Sequence, residues 1–178
     1  SDKLLPLGRL RESKSEVKRA QIILVTKCPD QMTNEQQKKI IIKIKPFNYQ
    51  SVFFTKIDYA EEFINREKKI ILNSLTSPFL LITGIANPDP LVSYLEEKKL
   101  RFNHLRFSNH HQFSSLEIKK IKKKNSNKII LTTEKDFGRL ESYFKSDILF
   151  YLPISMCFFN NKETQRFQNL LKDTLVQA

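Results

Sequence analysis

The chain has 178 residues and a mass of 21.0 kDa, with 40% hydrophobic and 28% charged residues, enough for one domain with a real core and barely for two. Its formal net charge of +12 points to an anionic partner: nucleic acid, a phosphorylated ligand or an anionic membrane surface. Its three glycines, Gly8, Gly84 and Gly138, lie far apart, so the chain holds neither a GxxxxGK[ST] loop nor a GxGxxG fingerprint, both of which need clustered glycines to bring backbone N–H groups onto phosphate.

Ser1–Ser13 reads as a connector, with Pro6, Gly8 and leucines alternating with charge. Beyond it, strands and helices alternate. Ala20–Thr26 is a continuous apolar run, as in a buried parallel strand. Thr33 caps a helix to about Ile44, and Val52–Ile57 is a second strand. Asp58–Lys69 is charged and shows no period. Pro78–Thr83 is a third strand, and Asn87 with Pro88 starts a helix ending near Lys99. Arg101–Phe107 reads as a strand, Ser114 or Ser115 caps a helix to Lys124, and Asn125–Asn127 is a turn. Lys128–Thr132 is a strand. Thr133 caps a helix to about Phe144, with Asp136 in a capping-box variant. Ile148–Leu152 and Ile154–Phe159 are strands split by Pro153. Asn160 caps a last helix with Phe167, Leu170, Leu171 and Leu175 on one face. The order predicts a three-layer α/β/α domain over residues 14–178 with a mostly parallel sheet, and ligands at the strands' C-terminal ends.

Cys28 and Cys157 lie far apart without metal-ligand spacing, so free, reduced thiols are expected and a structural zinc is not. No apolar run approaches the roughly 18–20 residues of a membrane span. Ser1–Leu10 has no signal-peptide core, so a soluble chain with only peripheral membrane contact is expected. Lys119–Lys124 holds five lysines without interleaved aromatics; it reads as a solvated helix end, where cations suit the dipole, or as an anion-binding face.

Four segments carry chemistry. Leu4–Glu12 (LLPLGRLRE) offers an Arg fork for phosphate and a Glu for a metal or a hydroxyl, or simply a surface pair. In Thr83–Pro88 (TGIANP), Gly84 permits a tight turn and Asn87 a cap. Phe107–Phe113 (FSNHHQF) puts His110 and His111 in a loop after a strand, where a ring nitrogen could orient a base, shuttle a proton or ligate a metal. His104, inside a strand, reads as structural. In Thr132–Arg139 (TTEKDFGR), Glu134 and Asp136 fill the field of a helix start, which favours capping and leaves Lys135 over.

In this order the four segments resemble the C-terminal half of the tetraacyldisaccharide 4'-kinase family of lipid A biosynthesis, and the resemblance covers nearly the whole chain. It implies the second lobe of a P-loop-kinase-like enzyme, with residues 1–13 as inter-lobe connector. The other lobe would carry the Walker A loop, the Mg²⁺ carboxylates and a catalytic Asp. ATP and Mg²⁺ would be bound mainly there, with no metal site in this half, and this half would be inactive alone. The family moves the γ-phosphate of ATP to the 4'-hydroxyl of a disaccharide lipid A precursor. The implied setting is the cytoplasmic side of the bacterial inner membrane, with an anionic membrane surface as partner, a monomeric state and no nucleic acid. Carried over by motif, Arg11 and Glu12 join the nucleotide and metal neighbourhood, Arg11 neutralising phosphate charge. His110 works with the other lobe's aspartate, while His111 and Lys135 are secondary candidates. Asn109 stands where the family usually has an aspartate, and it lacks the carboxylate charge that would raise a histidine pKa. Phe137-Gly138 stands where Ala-Val-like residues are usual, a packing change. Two other readings of the same residues are a basic, non-enzymatic nucleic-acid-binding α/β module and a self-sufficient small-molecule enzyme using the histidine pair. A steep salt dependence of binding would mark the first, and metal retention or turnover by this chain alone would mark the second.

Overall fold

The computed structural model describes residues 10–125 and 128–176, with side chains to residue 173. In chain order the elements are a 3-10 turn at Lys14–Arg19, β1 (Ile22–Cys28), α1 (Asn34–Ile44), β2 (Ser51–Tyr59), β3 (Glu62–Ile64) and β4 (Lys69–Ile71). A 3-10 turn at Leu72–Ser74 precedes β5 (Phe79–Thr83), α2 (Asp89–Glu97), β6 (Phe102–Arg106), α3 (Ser115–Asn125), β7 (Ile130–Thr133) and α4 (Glu134–Leu140). A third 3-10 turn, Glu141–Tyr143, leads to β8 (Leu149–Leu152), β9 (Ile154–Phe158) and α5 (Asn161–Val176). Two compact units result: one holds the residues up to Asp58 and those from Ser155 on, the other Tyr59–Ile154. The described residues therefore form two sheets, not one continuous sheet.

The first unit is built on the sheet order β1-β2-β9. β1 and β2 are parallel, with Ile22 opposite Ser51, and the register shifts between Val25 and Cys28, where Lys27 takes a left-handed φ of 58°. Thr33 caps α1 as the sequence predicts: its side chain accepts from Gln36 N–H, and Gln36 Oε1 accepts from Thr33 N–H at 2.8 Å. Phe53 is fully buried, edge-on to Phe158 and Phe167, with the Arg166 guanidinium 4.7 Å above its ring. Phe167 and Leu170 of the expected α5 face are half-buried, whereas Leu171 is exposed and the Leu175 side chain lies outside the described residues.

The second unit has the sheet order β4-β3-β8-β7-β5-β6, with β6, β5, β7 and β8 parallel and the hairpin β3–β4 antiparallel at one edge. β5 (FLLIT) is buried along its whole length because both faces are covered. Phe79 and Leu81 pack with Leu91 and Leu95 of α2 on one face. Leu80 and Ile82 pack with Ile118 and Ile121 of α3 and Leu140 of α4 on the other. That is the predicted α/β/α layering, and it follows from alternate β5 side chains pointing to opposite faces. The lysines of α3 stay solvated opposite its buried isoleucines.

Four readings change. β1 is not the buried strand that Ala20–Thr26 suggests: Leu24 is exposed and only Cys28 of the strand is buried, because β1 is an edge of its three-stranded sheet. Asp58–Lys69 contains strand β3, and its last residue starts β4. Three-residue strands are too short to show a period of two, and their turn is built by Asn65, whose Oδ1 accepts from Glu67 and Lys68 N–H at 2.9 and 2.8 Å. α4 ends at Leu140 instead of Phe144, and the next turn tightens to 3-10 form with Glu141 paired to Arg66 at 2.8 Å. Pro88 is itself the N-cap residue of α2, and Asn87 Oδ1 accepts from Asp89 N–H at 3.3 Å.

Candidate functional site

In the parallel part of the second sheet, β5 leads through α2 toward β6, whereas β7 leads through α4 toward β8. β5 and β7 are neighbours whose connections diverge, the switch point at which sheets of this kind form a ligand crevice, at the strands' C-terminal ends. Gly84 follows β5 there, the histidine loop follows β6, and α4 follows β7.

Asp136 ties these segments together. It is fully buried, and its Oδ2 accepts from Gly84 N–H at 2.7 Å and from Thr133 Oγ1 at 2.9 Å. Its Oδ1 accepts from Arg139 Nη1 at 3.2 Å. Thr133 Oγ1 also caps α4 by accepting from Asp136 N–H at 3.2 Å. The expected capping box is thus half formed: the carboxylate turns to Gly84 and not back to the Thr133 backbone. Gly84 is needed for the close approach, because a Cβ there would lie 3.1 Å from Asp136 Oδ1. Three donors pin that oxygen's carboxylate, so it has little room to yield. Gly84→Ala is therefore expected to destabilise the fold by about 1–3 kcal/mol, read as a lower urea midpoint. Gly138 sits inside α4 with open space around it. Gly8 lies outside the described residues.

The adjacent histidines part company. His110 takes a left-handed φ of 60°, uncommon for a residue with a Cβ, and its N–H donates to Gly84 O at 3.0 Å. Its exposed ring lies between two cations: Lys135 Nζ is 3.1 Å from Nε2 and Arg139 Nη2 is 3.0 Å from Nδ1. His111 instead packs against Phe107 and Phe113 and holds Glu117 at 3.1 Å. His111 therefore fixes the loop to the start of α3. His104 is structural as expected: it pairs with Thr83 Oγ1 at 2.8 Å, and burial, then the nearby Arg106 charge, lower its pKa.

Glu117 closes a capping box with Ser114, whose N–H donates to it at 2.8 Å and whose Oγ donates at 2.7 Å. Those bonds, then the one from His111, hold its carboxyl down to about 2. A depressed carboxylate contributes stability that is complete above its unfolded pKa and lost as acid protonates it. The stability gap between the wild type and Glu117→Gln should thus be level above about pH 5 and shrink as the pH falls from about 4.5 to about 2. Glu117 is partly exposed, so solvent keeps the gap small. Urea titrations at stepped pH check this; a gap that widens on acidification would refute it.

The structure therefore brings His110 and Lys135 together and keeps His111 out of their cluster. Arg11 and Glu12 belong to the other unit, where both are exposed and Glu12 pairs with Arg19 at 3.5 Å. Leu4–Arg9 of the first segment lies outside the described residues. Arg139 and the anchoring role of Asp136 were missed. The available signal was spacing: Asp136 to Arg139 is i, i+3 and Lys135 to Arg139 is i, i+4, so Arg139 neighbours each of them on α4. Among the described residues no cluster of three or more His, Cys, Asp or Glu could hold a metal, and no helix is long and apolar enough to cross a membrane.

The family described as Tetraacyldisaccharide-1-P 4'-kinase matches residues 1–175. A tetraacyldisaccharide 4'-kinase of Flavobacterium psychrophilum is 42% identical over 166 residues, covering 92% of this chain and 48% of the relative. One from Bacteroides fragilis is 32% identical, covering 96% of this chain and 50% of the relative. The chain thus spans about half the length of the curated relatives it matches. The fold resembles that of LpxK from Aquifex aeolicus, crystallised in complex with ATP: the TM-score is 0.57 at 18% identity, over 92% of this chain and 46% of that one. With a family match that runs from the first residue to residue 175, the chain belongs to the tetraacyldisaccharide 4'-kinase family.

Proposed function

We propose that this chain is the C-terminal lobe of an ATP-dependent kinase that phosphorylates the 4'-hydroxyl of the tetraacyldisaccharide 1-phosphate precursor of lipid A. The family match along residues 1–175 is the observation that carries this reading. The site geometry supports it, because phosphoryl transfer asks a protein mainly for positioning and charge neutralisation. His110, held at the crevice between two cations, assists the aspartate of the other lobe as that group receives the hydroxyl proton. Arg11 neutralises phosphate charge, and Glu12 helps place the nucleotide and its metal.

The described residues do not fit a nucleotide cradle. The Gly84 N–H is already taken by Asp136, and Gly138 lies within a helix. Mg²⁺ fits no better, since Asp136 is buried and fully engaged. ATP and Mg²⁺ are therefore assigned mainly to the rest of the full-length protein, and this chain alone is expected to be inactive. The protein works as a monomer, peripheral to the cytoplasmic side of the inner membrane. There its basic excess is attracted to anionic lipid by about 1 kcal/mol per Lys or Arg near the surface.

The test is an assay of the full-length protein with ATP, Mg²⁺ and the disaccharide 1-phosphate. Transfer to the 4'-hydroxyl is expected, with none from the 178-residue chain. No transfer by the full-length protein refutes the kinase reading, and turnover by this chain alone refutes its role as a dependent lobe.

A further inference from the structure

We propose that His110, Lys135 and Arg139 form a subsite for a terminal phosphate group, an assignment that rests on the kinase reading above. Both cations reach the same imidazole, Lys135 at Nε2 and Arg139 at Nδ1. A neutral imidazole has one acceptor nitrogen, while Lys and Arg are donors only. The ring therefore satisfies one cation at a time and turns an N–H toward the other.

No carboxylate among the described residues pairs with Lys135. Elsewhere in this unit, Arg66 pairs with Glu141 and Arg106 with Asp89. Arg139 is held by Asp136 through Nη1 alone, and that carboxylate is also engaged by Gly84 and Thr133. Its Nη2 is left to the ring. Three donors thus converge with one acceptor among them.

A terminal phosphate supplies what is missing: negative charge and three acceptor oxygens, one each for Lys135, Arg139 and the imidazole N–H. A phosphodiester has two free oxygens, which argues against a nucleic-acid backbone. The subsite stands at the C-terminal ends of β5, β6 and β7, with its guanidinium held by the buried Asp136. Asp136 presets the guanidinium, so the donors need little rearrangement on binding. Two sources share the required chemistry: the γ-phosphate of the nucleotide and the phosphate ester on the sugar acceptor.

Two measurements test the subsite. In the first, the 178-residue chain, with its fold checked by circular dichroism, is labelled on histidine and titrated with inorganic phosphate and with pyrophosphate against chloride at matched ionic strength. Saturable shifts of the His110 ring resonances are expected, weakened about tenfold or more in Lys135→Ala. Lys135 is exposed, so that variant should fold. Shifts no larger than the chloride control, or equal affinity in Lys135→Ala, overturn the subsite. In the second, Lys135→Ala and Arg139→Gln are made in the full-length protein and their kinetics compared with wild type. A raised KM for ATP assigns the nucleotide's phosphate, a raised KM for the disaccharide assigns the acceptor's, and a fall of about a hundredfold in kcat alone assigns the group in transfer. Unchanged kinetics in both variants overturn the proposal. A wild-type protein that transfers no phosphate refutes the kinase reading instead, and the titration of this chain does not depend on it.

Discussion

Replacing His110 by alanine in the full-length protein should lower kcat by about 10²–10⁴, the range for losing a group that manages a proton in the transition state. The KM for the disaccharide should move far less if the subsite takes the nucleotide's phosphate, and should rise as well if it takes the acceptor's. The fold should survive, since the side chain is exposed and its main tie to the protein is a backbone bond to Gly84 O that alanine can keep. His110→Asn is the companion variant. Asparagine tolerates the left-handed backbone at this position, so a similar loss of kcat with unchanged stability would exclude a strained loop as the cause. Partial recovery of His110→Ala by added imidazole would assign the loss to the missing ring itself. Wild-type kcat in both variants would remove His110 from the site.

Asp136→Ala should be the most damaging single change in the second unit, costing about 3–5 kcal/mol of stability. The deletion strips the acceptor from three donors at once: Gly84 N–H, Thr133 Oγ1 and Arg139 Nη1. Each buried donor left without a partner costs about 1–3 kcal/mol, and the guanidinium loses its countercharge. Asp136→Asn keeps the shape and one acceptor oxygen but brings an amide donor toward donors, so a smaller loss is expected. Urea unfolding followed by circular dichroism measures both. A midpoint for Asp136→Ala that corresponds to less than about 1 kcal/mol would show that the carboxylate is not the anchor described here. Because Arg139 is positioned through Asp136, the asparagine variant should also reduce kcat while it remains folded.

Much of the second unit was legible in the sequence. The apolar runs Phe79–Thr83 and Ile130–Thr133 are strands buried on both faces, and the motifs after them are indeed at the C-terminal ends of parallel strands. The helix caps at Thr33, Thr133 and Asn160 could be read, and the one at Ser114 narrowed to two serines, because each is a local event between residues three apart. What stayed hidden is non-local. The hairpin β3–β4 depends on pairing β3 with β8, far along the chain, and its own strands are too short to announce themselves. Asp136 looked like a capping residue because its bond to Gly84 spans 52 positions, which no local pattern encodes. His110 and Lys135 were singled out separately, 25 positions apart, and the strand register that brings them into contact came only with the fold.

The left-handed backbone at His110 has a consequence for how the loop tolerates change. It sends one histidine toward Lys135 and Arg139 and leaves the next among Phe107, Phe113 and Glu117. The repeated residue is therefore no spare copy. If either histidine were deleted, the survivor would have to choose between the crevice and the aromatic packing. Substitution one position at a time is the route by which this loop can vary, and loss of a single codon is not.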